Sequence, residues 1–191
     1  MTSVCYPVEG WGVGEVWMER GRLVWHELPQ PKARASSGTR ARARETPTHS
    51  MGGENYPPPT GSTIPGKVAL VRDDSAPKAG NLVHRLEAYF AGEPVSFDDV
   101  DLDVDGWTNF QLDVAEALRR VPYGEVVSYG DLARLAGHPR AHRAAGTFCA
   151  GNRFSIVVPC HRVVAAEGLG SYGSLGPDYK RRLLALEGVT L

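Results

Sequence analysis

The chain has 191 residues, 42% of them hydrophobic, and carries 21 Lys and Arg against 22 Asp and Glu. That length supports a real core in one or two compact domains, and no apolar run approaches the roughly 18 to 20 residues of a membrane-spanning helix. The N-terminus also lacks the basic-then-apolar pattern of a secretory signal, which leaves a cytoplasmic location and no membrane partner as the expectation.

In chain order, "GWGVGEVWMERGRLVWHELP" alternates apolar and polar residues on both sides of Glu19, Arg20, Gly21 and Arg22, which predicts a β-hairpin. From Pro29 to about Gly66 the composition turns to Pro, Gly, Ser, Thr and Arg, the signature of a loosely ordered insertion; its five basic residues between Lys32 and Arg44 suit either a solubilising loop or DNA phosphates. "NLVHRLEAYFAGEP" sets Leu82, Leu86 and Tyr89 or Phe90 at helical spacing and stops at Gly92 and Pro94. "FDDVDLDVDG" alternates Asp with apolar residues, as an exposed edge strand or extended linker does, and the domain boundary is placed at Gly106.

Beyond it, Thr108 with Gln111 forms a capping box for a helix bearing Phe110, Val114, Ala117 and Leu118 on one stripe and ending before Pro122. Ser128 with Asp131 forms a second box, for a helix that turns Leu132, Leu135 and Ala136 inward and stops at Gly137. Pro139 suits the first turn of the next helix, "PRAHRAAGTFCAG", with Ala141, Ala144, Ala145 and Phe148 on one face and Arg140, Arg143 and Thr147 on another. Two short helices joined by a Gly-containing turn are a helix-turn-helix, and the small residues of the second predict close, sequence-tolerant docking in a groove. Residues 119–191 carry ten Lys or Arg against five Asp or Glu, compatible with a polyanionic partner.

The most reactive side chain stands in "VVPCHRVV". "FSIVVPC" is an apolar, β-branched run broken by proline, which predicts a buried strand ending where Cys160 begins. A lone cysteine in such a run is more often inert core than nucleophile. Here His161 offers a base and Arg162 a positive charge, the two aids a thiol needs to react as thiolate near neutrality. Adjacent strand residues face opposite ways, so His161 reaches the sulfur across a turn or through a water, and a distant carboxylate, Glu187, is the candidate to orient it. With Cys5 and Cys149 the cysteines number three, scattered and without a CxxC pair, so no disulfide framework or cysteine-rich metal site is expected.

"TNFQLDVAEALRRVPYGEVVSYGDLARLAGHPRAHRAAG", "GNRFSIVVPCHRVV", "GLGSYG" and "RRLLALEG", in that order and spacing, resemble the O6-alkylguanine-DNA alkyltransferases over residues 107–188. The resemblance implies an α/β (α+β) fold: a variable β-rich N-terminal domain, residues 1–105, then a mostly helical domain, residues 106–191, with a helix-turn-helix and a cysteine-bearing active-site strand. It implies a monomer without cofactor or metal, whose partner is double-stranded DNA containing O6-alkylguanine, with O4 of thymine left open. Cys160 then resembles the acceptor that takes the alkyl group irreversibly, His161 the base acting through water, Glu187 the group that polarises it, and Asn152 the asparagine tying the helix-turn-helix to the active site. Arg143 is similar to the arginine that replaces the extruded base and Tyr129 to the tyrosine that crowds the 3′ phosphate, while Ala141, Ala144 and Gly146 form the small groove-facing surface. Tyr172 and Ser174 match the loop over the flipped base, with Val163 and Lys180 beside that pocket. Two positions depart from the family pattern. Arg153, a residue with the reach to contact a phosphate, replaces a proline, and His142 replaces a small residue.

Two further motifs carry less. "GLGSYG" fits GxGxxG, but no βαβ unit surrounds it, so it reads as a flexible lid. Cys5, His26 and His84 are zinc-binding residue types without a fourth ligand at useful spacing. The rival functions are a non-catalytic binder of alkylated bases, a cysteine-dependent hydrolase and a plain transcription regulator. The presence of the cysteine argues against the first, single-use stoichiometry separates the second, and the third leaves the Cys-His-Glu set without purpose.

Overall fold

The computed structural model describes residues 1–31 and 77–191. Three antiparallel strands, β1 (Thr2–Val8), β2 (Gly12–Glu19) and β3 (Arg22–Gln30), form a sheet in that order. The hairpin predicted from the alternation is β2–β3: Glu19 pairs with Arg22, and the turn between them sets Arg20 and Gly21 at positive φ, as a two-residue connection requires. β1 is new to the reading, because Pro7 and the mixed polarity of "TSVCYPV" conceal a strand that turns Tyr6 inward. The insertion predicted from residue 29 begins inside β3, which runs to Gln30; beyond Pro31 it lies outside the described residues.

α1 (Pro77–Phe90) buries Leu82, Leu86, Tyr89 and Phe90 and packs on β1 and β2. Gly92, at φ 92°, follows its end. The Asp-rich stretch after it is extended but forms no named strand. Leu102 makes one parallel bridge to Leu23, fixed by Leu23 N donating to Asp101 O and Asp103 N donating to Leu23 O.

α2 (Asn109–Arg119) and α3 (Tyr129–Leu135) both start on the predicted capping boxes, with Thr108 and Ser128 accepting from the third helical amide while Gln111 and Asp131 reach back. β4 (Val127–Ser128) pairs in parallel with β5 (Val163–Val164), and α5 (Gly176–Leu186) closes the fold. α3 and α4 (His142–Ala150) pack together as the helix-turn-helix. One apolar cluster, including Tyr6, Leu86, Tyr89, Leu118, Phe154 and Leu183, joins the sheet and α1 to the helices that follow.

Three expectations need correction. Leu135 is not inward but 62% exposed, since only Leu132 and Ala133 of α3 are buried. Pro139 does not open α4: His138 N bonds back to Ala133 O and Ala141 N to His138 O, which uses residues 137–141 as a turn and delays the helix to His142. As a result Ala145 and Phe148 face inward while Ala144 is exposed.

The largest correction concerns "FSIVVPC". The run is buried but is not a strand: Val158 N bonds to Phe154 O at 2.7 Å, Cys160 N to Val158 O at 2.8 Å, and Ile156 sits at φ 71°. Pro159 has no N–H for a ladder, and the Asn152 side chain takes up both Phe154 N and Val158 O, so the chain curls instead of extending. Cys160 therefore begins a 3₁₀ turn (Cys160–Arg162), not the end of a strand.

Candidate active site

The 3₁₀ turn carries Cys160, His161 and Arg162, all buried, and Glu187 stands at the C-terminal cap of α5. His161 Nε2 lies 2.8 Å from Glu187 Oε1, with both side chains fully buried. The same carboxylate accepts from Arg162 Nε and Nη2, each at 3.0 Å, from Tyr89 Oη at 2.7 Å and from Gly124 N at 3.1 Å. Burial alone would push this carboxyl up. The hydrogen bonds from His161 and Arg162, together with the Arg162 charge, outweigh it and hold Glu187 at about 2. An ionised carboxylate only accepts, so His161 Nε2 carries its proton toward Glu187 and leaves the lone pair on Nδ1. Nδ1 is buried and has no hydrogen-bond partner among the described residues. Burial pushes the imidazole pKa down, against the pull of Glu187, and keeps the ring neutral.

Cys160 is 5% exposed, and Asn152 Nδ2 donates to its Sγ at 3.1 Å. Burial raises the thiol pKa; Asn152 chiefly, then Tyr172, Lys180 and Ser155, oppose it without cancelling it. The sulfur is therefore held as a thiol at rest, whereas the sequence suggested adjacent charge would ionise it. The reason is that Arg162 turns away: it pairs with Glu187 and donates from Nη1 to Val121 O at 2.7 Å. Arg162 fixes the carboxylate and is not placed on the sulfur.

Tyr172 is buried, with its hydroxyl lacking a hydrogen-bond partner among the described residues, and a single bridge links it to exposed Ser174. Lys180 is fully buried and donates to Val163 O and, at 2.7 Å, to Leu169 O, tying the "GLGSYG" loop to β5. Burial lowers its pKa. Val163 is buried and directly follows the Cys160–Arg162 turn. On the helix-turn-helix, Arg143 and Ala144 are exposed, Ala141 and Gly146 half-buried, and half-buried Tyr129 leans its ring toward the open side of Gly146. His142 is exposed at the start of α4.

Arg153 does not extend to solvent as a phosphate ligand would. Its guanidinium lies 5.0 Å from the Phe154 ring centroid and donates to Asp103 O. His26 is committed as well, to Tyr6 Oη and Ser155 O, while Cys5 and His84 are exposed, and no metal-binding cluster occurs among the described residues. A groove of about 970 Å³ lies against Ile156, Pro159 and Arg162, and neither Cys160 nor Tyr172 lines it. Tyr89 is the residue the sequence did not reveal: at its helical position it reads as core, and only the fold carries its hydroxyl to Glu187.

A sequence profile described as the DNA-binding domain of 6-O-methylguanine DNA methyltransferase matches residues 109–189. A methylated-DNA–protein-cysteine methyltransferase from Methanopyrus kandleri is 44% identical over 128 residues, which cover 64% of this chain and 94% of that protein. The chain belongs to that family. A relative of the same name from Mycolicibacterium paratuberculosis is 51% identical over 106 residues, 55% of this chain and 62% of that one. Mycobacterium tuberculosis OGT, solved in complex with DNA, superposes with a TM-score of 0.63 at 32% identity over 97% of this chain and 92% of its own. The fold also matches the Pyrococcus kodakaraensis O6-methylguanine-DNA methyltransferase at 22% identity and TM-score 0.51, over 98% of both chains. These family members share the mixed α and β architecture expected from the sequence. No described helix is long and apolar enough to cross a membrane.

Proposed function

We propose that this chain repairs DNA by transferring an alkyl group from O6 of guanine in a duplex to its own Cys160. The observation that carries the reading is a buried thiol followed directly in the chain by a neutral, buried imidazole whose Nδ1 has no partner among the described residues and whose Nε2 is anchored on an ionised carboxylate. Such an imidazole is a base at neutral pH, and Glu187 stabilises the imidazolium it becomes. His161 Nδ1 takes the thiol proton through an intervening water. Sγ then attacks the alkyl carbon in line, the C–O6 bond breaks, and its electron pair returns to the purine, which takes up one proton to become guanine. The product thioether is a poor leaving group, so each molecule acts once.

Duplex stacking hides O6, and extrusion of the base requires a few kcal/mol and a side chain to fill the gap. Exposed Arg143, on a helix whose Ala141, Ala144 and Gly146 permit close approach, fills it, and Tyr129 crowds the neighbouring phosphate. Tyr172, Ser174, Val163 and Lys180 form or support the base pocket. A DNA partner places the protein with the genome, which in a bacterial cell is the cytoplasm.

Duplex bearing O6-[methyl-³H]guanine tests the reading. One label per protein on Cys160 is expected, and none after Cys160→Ala, with DNA binding retained. Absence of label from folded, reduced protein would sink it, and repeated turnover would favour the hydrolase instead.

A further inference from the structure

Each strand of the N-terminal sheet contributes one residue to a buried chain of contacts that ends on the Cys160 turn. Tyr6 Oη, from β1, lies 2.5 Å from His26 Nε2 on β3, and His26 Nδ1 lies 2.6 Å from the Ser155 carbonyl. A carbonyl only accepts, so Nδ1 carries the proton, and Nε2 accepts from the Tyr6 hydroxyl. Gly14, on β2, makes room for this arrangement: a Cβ there would stand 2.5 Å from Tyr6 Cζ and 2.6 Å from Oη, closer than carbon atoms approach. The backbone repeats the tie, since His26 N donates to Arg153 O at 2.9 Å and His26 bridges to Phe154 in parallel.

The turn is thus held from two sides. Asn152 holds it from within, bonding Phe154 N, Val158 O and the Cys160 sulfur. The sheet holds residues 153–155 from outside. Ile156, the next residue, has φ 71°, which a β-branched side chain rarely adopts and which persists only where the flanks are fixed. Burial keeps His26 neutral, its pKa pushed down to about 4, so the donor to Ser155 is present at neutral pH without a buried charge.

We propose that His26, oriented by Tyr6 in the space left by Gly14, is a positioning residue for alkyl transfer. Through Ser155 it sets the register of the turn that aims the Cys160 sulfur. The inference rests on Cys160 being the acceptor. Misplacing a nucleophile by about 1 Å lowers a rate by as much as 10²-fold, whereas docking of DNA on the exposed Arg143 face of α4, which does not touch His26, is expected to be unaffected.

The test is single-turnover transfer from methylated duplex to full-length protein, measured across DNA concentrations below the unfolding temperature of each variant. His26→Leu is expected to lower the limiting rate about tenfold or more, with the half-saturating DNA concentration unchanged within about twofold. His26→Asn, whose amide nitrogen stands where Nδ1 does, is expected to recover the rate to within about threefold of wild type. A folded His26→Leu protein with the wild-type limiting rate overturns the proposal. If that variant does not fold, Tyr6→Phe carries the test, and an unchanged limiting rate there overturns it equally. Wild-type protein that forms no Cys160 adduct overturns the functional reading and this one with it; a normal wild-type adduct beside unchanged variants overturns only the positioning role.

Discussion

Two imidazoles are buried among the described residues, and the regions around them use the ring in opposite ways. Around His26 both ring nitrogens are bonded, to Tyr6 Oη and Ser155 O, and the ring has no capacity left. Around His161 one nitrogen is anchored on Glu187, and the other, like the buried Tyr172 Oη, has no hydrogen-bond partner among the described residues. Burial pushes both imidazole pKa values down. Protonation state therefore does not distinguish them; hydrogen-bond capacity does. Buried polar atoms are rarely left unsatisfied, so on the proposed function these two, on His161 and Tyr172, mark where proton and substrate go. On the function proposed above, the saturated ring is a strut and the unsaturated one a base.

The sharpest way to break that contrast is His161→Gln. The glutamine amide can still donate to Glu187, so the fold is kept while the acceptor nitrogen is lost. Single-turnover transfer to Cys160 is expected to fall by roughly 10²- to 10⁴-fold, the range for loss of a positioned base, with DNA affinity unchanged. A variant that transfers at the wild-type rate would show that Nδ1 is idle and the two rings equivalent.

How far this contrast could be read from the sequence depends on the type of signal. The capping boxes at Thr108 and Ser128 were legible because both partners lie within one turn of helix. Glu187 was legible as an orienting carboxylate once a Cys-His pair demanded one. Tyr89 and the Tyr6–His26 pair were not, since a tyrosine at an apolar helical position and a histidine on an alternating strand look the same whether or not a distant acceptor awaits them. The β-branched "FSIVVPC" misled for a related reason. Strand propensity describes a half-buried pleated surface, and here Asn152 competes for the backbone groups a strand would have used. Leu135 fits its helical stripe by spacing, but nothing covers it.

Acid unfolding sharpens the comparison next. His26 has a folded pKa of about 4 against its ordinary 6.5, so the unfolded chain binds the extra proton between those values. Its contribution is full above pH 6.5 and is lost as pH falls toward 4. Glu187, at about 2 against 4.5, contributes above pH 4.5 and loses that contribution as pH falls toward 2. Each amounts to about 3 kcal/mol by linkage. His161, also pushed down, adds to the upper window in the same sense. Urea denaturation at successive pH values is expected to show stability falling through both windows, and His26→Asn is expected to make the upper fall shallower, leaving the part due to His161, without changing the lower. Wild-type stability that is constant from pH 7 to 4 would refute the neutral burial of both rings.

The smallest effect comes from removing one hydroxyl in each region. Tyr6→Phe leaves His26 Nε2 buried without its donor, and the loss of one partner from a satisfied pair costs about 1–2 kcal/mol. Tyr172→Phe removes a hydroxyl with no hydrogen-bond partner within bonding geometry among the described residues, and the loss in urea-denaturation stability is expected to be smaller than that of Tyr6→Phe. The two substitutions delete the same atom from two buried tyrosines. A difference between them therefore measures hydrogen-bond satisfaction alone, and equal losses would mean that Tyr172 Oη already has a bonding partner, which would remove the distinction between the strut and the working site.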